Sequence, residues 1–247
     1  MKRFIAVQHS YSEFLGIIEK QLENRGIGFT YFRPFTGQSL PVSALQFDAL
    51  WLLGGAHAPW DSAHVGWRQE EERLIQAFIR ARRPIVGIGF GAQLLAMVLG
   101  AQAGEDTSPH AGWTTASSTA EGQGDPLAAA LDGRRVLVAG YGRCDLPAGL
   151  APLAVDGEGR WLMFRRDLAV GMLCRPELTP GMIEDMIMED GRELPDDISE
   201  TLEQARELSA MQRDTTDRLL AALVSALDLM QERRKPPVFT IQQVSRE

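Results

Sequence analysis

The segment Pro84-Ile-Val-Gly-Ile-Gly-Phe-Gly-Ala-Gln-Leu-Leu-Ala-Met-Val-Leu-Gly100 constrains this chain most. The apolar run Pro84–Ile88 reads as a buried strand. Gly87, Gly89 and Gly91 make a tight turn, and Gln93–Leu99 reads as a helix stopped by Gly100. A strand that turns this sharply into a helix presents one residue at a strained tip. Beside that tip lie the N–H groups that a helix start leaves unpaired.

The flanking pattern predicts the sheet around this unit. Phe4–Val7, Gly28–Phe32 and Ala49–Leu53 read as short strands, and Ser12–Asn24 and Val65–Arg82 as amphipathic helices. This alternation predicts an α/β fold with a mostly parallel, doubly covered sheet. Between Ala103 and Phe164 the pattern changes. Gly112–Ser117, Arg134–Ala139, Ala151–Val155 and Trp161–Phe164 read as a small antiparallel β insertion, and Ala169–Leu173 returns to the main sheet. From Glu193 the chain turns helical. An apolar stripe from Ile198 to Met230 reads as a core face with a polar break near Thr215. Residues 1–231 therefore read as one domain and 232–247 as a polar tail.

With 25 basic and 33 acidic residues the net charge is −8, which argues against nucleic acid or an anionic membrane as partner. No apolar run reaches the roughly 18 residues that span a bilayer. Two cysteines and no export signal predict a cytoplasmic setting. The four histidines, His9, His57, His64 and His110, read as scattered, without metal-ligand spacing. The acidic run Glu70-Glu71-Glu72 reads as a solvated helix face.

The elbow resembles that of class I glutamine amidotransferases, whose motif runs Gly-Ile-Cys-x-Gly-x-Gln. Gly87, Ile88, Gly91 and Gln93 match, but Gly89 stands at the cysteine position and has no side chain to attack an amide. The same stretch also fits the dinucleotide fingerprint G-x-G-x-x-G/A. It lies mid-chain, however, and no acidic residue ends a strand about 20 residues later. A second segment, Val170-Gly-Met-Leu-Cys-Arg-Pro-Glu177, resembles the family's Gly-x-Gln-Phe-His-Pro-Glu. Glu177 is retained, but Arg175 stands at the base histidine. Arginine stays protonated at ordinary pH and cannot accept a thiol proton. The resemblance covers about residues 1–230.

The resemblance implies a flavodoxin-like core and a pocket bounded by Gly54, Gly55, Gly89, Phe90, Gln93 and Arg175. Leu52-Leu-Gly-Gly-Ala-His-Ala-Pro-Trp-Asp61 looks like the loop whose N–H forms half of the family's oxyanion hole. Gly112-Trp113 and Asp145-Leu-Pro147 also sit where the family carries similar residues. Ala139-Gly-Tyr-Gly142 departs from the family's Trp-His-Gly-Asp. Cys174 reads as a small core residue facing away from the site, Cys144 as a loop residue without a base, and His57 and His64 as surface residues. Arg175 and Glu177, two apart on a strand end, read either as an ion pair filling the vacated dyad or as a cation offered to a small carboxylate or other anion.

With two of three catalytic roles vacant, the first reading is a pseudoenzyme that binds an anion or a partner. The alternatives are an amidotransferase or γ-glutamyl-amide hydrolase using other chemistry, or an inactivated variant of an active enzyme. No cofactor or metal is implied. As partner the resemblance implies a separate synthetase or acceptor enzyme, and self-association is left open.

Overall fold

Phe4 to His9 are all buried, an unbroken run that fits a strand covered on both faces. They lie in the first strand, Lys2–His9 (β1), of a computed structural model that describes residues 2–231. The expected tail, 232–247, lies outside the described residues. The elements continue as α1 (Ile17–Glu23), β2 (Ile27–Phe32), β3 (Ala49–Gly55), α2 (Arg68–Arg80), β4 (Ile85–Ile88) and α3 (Phe90–Val98). The middle carries β5 (Pro109–Thr115), β6 (Ser117–Ser118), α4 (Pro126–Leu131), β7 (Arg135–Tyr141), β8 (Ala154–Val155) and β9 (Trp161–Arg166). The last described elements are β10 (Ala169–Met172), α5 (Pro180–Met188), α6 (Ile198–Glu207) and α7 (Ser209–Ala226).

The main sheet has the order β2-β1-β3-β4-β10-β9-β8-β6. From β2 to β10 all neighbours are parallel. The last three strands join antiparallel. The fold is therefore α/β with a mostly parallel sheet, as expected, and β10 does return beside β4. Among the described residues the small antiparallel sheet contains only β5 and β7. The expected strands Ala151–Val155 and Trp161–Phe164 appear as β8 and β9, which extend the main sheet. Gly112–Ser117 divides at buried Ala116, so its two ends serve different sheets.

Two helical expectations are corrected. The first helix starts at Ile17, not Ser12. Gly16 has φ 50, and a Cβ there would collide with the Glu177 carbonyl oxygen, to which Ile17 N–H donates at 3.1 Å. Ser10–Leu15 is thereby a loop turned inward, carrying Glu13. At the C-terminal end the break falls at Leu208, and Thr215 lies inside α7. Its polar neighbours dock rather than interrupt. Gln212 Nε2 donates to the carbonyls of Leu178 (2.7 Å) and Arg175 (3.2 Å), and Thr216 Oγ1 to that of Pro176 (2.7 Å). The apolar face of α7, Leu219, Leu220 and Leu223, joins the core that begins at Phe4. Among the described residues no helix is long and apolar enough to cross a membrane.

Candidate active site

Parallel sheets gather function at the carboxyl ends of their strands. Here β1 ends at His9 and β3 at Gly54-Gly55, Gly89 follows the last residue of β4, and the chain beyond β10 brings Arg175 and Glu177. Gly89 is the N-cap of α3, with φ 54 and ψ −113, a conformation that costs any residue with a Cβ. Its N–H donates to Met172 O at 2.9 Å, which fixes the elbow against β10. A Cβ at Gly89 would stand 3.2 Å from Arg175 Cδ and 3.4 Å from Nε and Nη1. Positions 89 and 175 therefore face each other.

Arg175 is buried, and each guanidinium nitrogen is engaged. Nε donates to Glu177 Oε1 at 2.7 Å, Nη2 to Glu13 Oε1 at 2.6 Å and Nη1 to the Ala139 carbonyl at 2.9 Å. Arg192 Nη2 meets the other Glu13 oxygen at 3.0 Å and its Nη1 meets Glu189 at 2.9 Å. Burial works against ionising Glu13, but the guanidinium groups of Arg192 and Arg175 hold its carboxyl down to about 2. Burial pushes Glu177 up, against Arg175, and Oε2 of Glu177 has no hydrogen-bond partner among the described residues. Of the two readings of Arg175, the ion pair is the arrangement present. Sequence reasoning missed Glu13, which sits 162 residues away in chain from Arg175.

The residues expected around a pocket come together, but tightly. A Cβ at Gly54 would collide with Arg175 Nη2 and Glu13 Oε1, so that glycine lies directly on the ion pair. A Cβ at Gly55 would stand 2.9 Å from His9 Cβ and 3.3 Å from the Phe90 ring. The Arg175 side chain thus occupies the space between Gly54 and Gly89. Gln93 is also committed. Its amide nitrogen donates to Tyr141 O at 3.1 Å, and its oxygen accepts Cys144 N–H at 3.0 Å. It clasps the segment that departs from the family's Trp-His-Gly-Asp. Cys144 and Cys174 are both buried, and desolvation pushes each thiol up to about 12.

His9 and Glu71 were not foreseen here. Glu71 is buried, which corrects the reading of its acidic run as wholly solvated. His9 Nε2 lies 2.8 Å from Glu71 Oε1, while its Nδ1 lies 3.0 Å from the carbonyl oxygens of both Leu53 and Gly54. Carbonyls only accept, so Nδ1 carries hydrogen and Nε2 is the nitrogen that faces the Glu71 carboxyl. The His9 ring packs 4.2 Å from that of Phe90. Burial lowers the His9 pKa, but Glu71 and the two carbonyls outweigh it and raise it. A raised histidine contributes stability that is complete below its unfolded value of 6.5 and is lost as pH rises through the folded value. Urea unfolding from pH 6 to 9 should show that loss in the unmodified chain and not in Glu71→Gln. Parallel pH slopes for the two would show that the proton is not held there.

The histidines are less scattered than their sequence positions suggest. His57 and His64 stack 4.3 Å apart, with Asp61 beside both. They and His9 line a cleft of about 390 Å³ adjoining the Gly-Gly loop.

Residues 6–182 match the family model for glutamine amidotransferase class-I. The chain belongs to the class I glutamine amidotransferase family. The glutamine amidotransferase-like protein YfeJ of Salmonella typhimurium is 30% identical over 198 residues, covering 77% of this chain and 82% of the relative. Among solved structures, a glutamine amidotransferase from Methylobacillus flagellatus superposes with a TM-score of 0.79 at 19% identity, covering 97% of this chain and 100% of that one. A GMP synthase subunit from Thermoplasma acidophilum shares the fold at a TM-score of 0.58 and 16% identity, covering 94% and 98% of the two chains. In this class I amidotransferase domain the elbow and the Arg175–Glu177 segment thus sit together at the carboxyl ends of β4 and β10.

Proposed function

We propose that this class I amidotransferase-like chain does not hydrolyse glutamine through a cysteine and acts by binding. One observation carries the reading: Gly89 occupies the strained tip between β4 and α3, and its missing Cβ would face Arg175. Those are the positions at which the resemblance seats nucleophile and base. A glycine supplies no nucleophile, and an arginine held by Glu13 and Glu177 supplies no base. The cysteines do not substitute, since both are buried with their thiols pushed up to about 12. Gly54, Gly55, Phe90 and Gln93 then act as the packed frame of a vacated site. Arg175 has less support as an anion receptor, because two carboxylates already neutralise it.

The binding role we assign is association with a separate synthetase or acceptor enzyme. A structural neighbour named as a subunit of GMP synthase supports that direction. Two free, buried cysteines fit a cytoplasmic setting. The test uses a glutamine analogue carrying a γ-diazoketone, which alkylates a nucleophilic thiol. Intact-mass measurement after incubation should show no added analogue. A stoichiometric adduct on Cys144 or Cys174 would sink the reading.

A further inference from the structure

The loop after β3 brings three metal-ligating side chains to one point. His57, Asp61 and His64 each offer one donor atom, and the three atoms lie within 4.8 Å of one another. Nδ1 of His64 is 2.8 Å from Asp61 Oδ2, and Nδ1 of His57 is 3.8 Å from the same oxygen. Donor atoms around a first-row metal, bound at about 2.0–2.2 Å, stand roughly 3–3.4 Å apart. The observed spacings bracket that range, so rotation of the two rings brings all three atoms onto one ion.

The loop is built to hold this arrangement. Asp61 N–H donates to Ala58 O at 3.0 Å, Val65 N–H to Asp61 O at 3.0 Å, and buried Ala58 and Val65 anchor both ends. Asp61 Oδ1 accepts the Ala63 N–H at 3.1 Å. That bond aims Oδ2 at the two imidazoles, as outer partners aim metal-bound carboxylates. The rings stack almost parallel, 7° apart, and the Nδ1 atoms of both face the same Asp61 oxygen. His64 uses the carboxylate as its hydrogen-bond partner. The His57 ring is too far for one at 3.8 Å.

We propose that His57, Asp61 and His64 bind a first-row divalent transition-metal ion at the rim of the cleft shared with His9, Tyr11 and Arg192. Two imidazoles and one carboxylate suit zinc, iron(II), cobalt or nickel and disfavour magnesium or calcium, which prefer oxygen. Three protein ligands beside an open cleft of about 390 Å³ leave the remaining coordination positions to water or to a small ligand. The inference is independent of whether glutamine is hydrolysed.

The test is titration of Zn²⁺ into the metal-free full chain, free of any affinity tag, against a chromophoric chelator. One equivalent should bind with a dissociation constant below about 100 µM. His57→Ala and His64→Ala should each weaken it at least about tenfold, as should Asp61→Asn. His64→Gln, which keeps a hydrogen bond to Asp61, should weaken it equally. Co²⁺ should give visible absorption that the same variants lose, with far-ultraviolet circular dichroism unchanged. A dissociation constant above about 100 µM, or binding that survives His57→Ala and His64→Ala, would overturn the proposal.

Discussion

Arg175→Ala should lower the unfolding free energy by about 3–5 kcal/mol, the scale for removing one partner of a buried ion pair. The guanidinium lies between Glu13 and Glu177, and all three side chains are buried. Alanine leaves Glu177 without a cation and Glu13 with Arg192 alone. Urea denaturation at pH 7 measures the loss. Adding Glu13→Gln and Glu177→Gln to the alanine variant should recover part of it, because no orphan charge then remains. The acid limb should move as well. Glu13 is held down to about 2, so its contribution is present above its ordinary value of 4.5 and lost as pH falls through about 2. The alanine variant should lose stability earlier on acidification. A change under about 1 kcal/mol would place Arg175 outside a buried pair.

The elbow was legible because its cause is local. An apolar run, three glycines and a helix stop specify strand, turn and helix without reference to distant residues. What the tip faces was not local. Glu13 sits in a stretch whose apolar spacing mimics a helix, and only the close approach of Gly16 to the Glu177 carbonyl turns that stretch into a loop. Glu71 did leave a signal. Three consecutive residues on a helix span about 200°, so they do not share one narrow face. Glu71 shares spacing with buried Leu74, Ile75 and Phe78. The stretch near Thr215 reads as a break because its polar residues suggest solvent. The partners of Gln212 and Thr215 are carbonyls of the Arg175–Leu178 loop and of the helix itself, which periodicity does not reveal. His57, Asp61 and His64 meet through a loop conformation, and loops carry no period to read.

Gly89→Cys alone should leave glutamine hydrolysis absent. The new side chain would enter at φ 54, 3.2 Å from Arg175 Cδ, facing a group that cannot take its proton. Gly89→Cys with Arg175→His restores a thiol opposite an imidazole, with Glu177 left to orient the ring. Removing the members of a catalytic triad together costs on the order of 10⁶ in turnover, so even imperfect restoration should rise clearly above background. Both variants are assayed at low temperature, with folding checked by circular dichroism. Substantial activity from Gly89→Cys alone would mean that Arg175 does not stand at the base position.

The most direct measurement is ammonia release from glutamine by the unmodified full chain, followed over hours with a coupled enzymatic readout. A rate equal to the buffer blank is the predicted result. Sustained turnover above about 1 s⁻¹, within the ordinary range for enzymes, would contradict it.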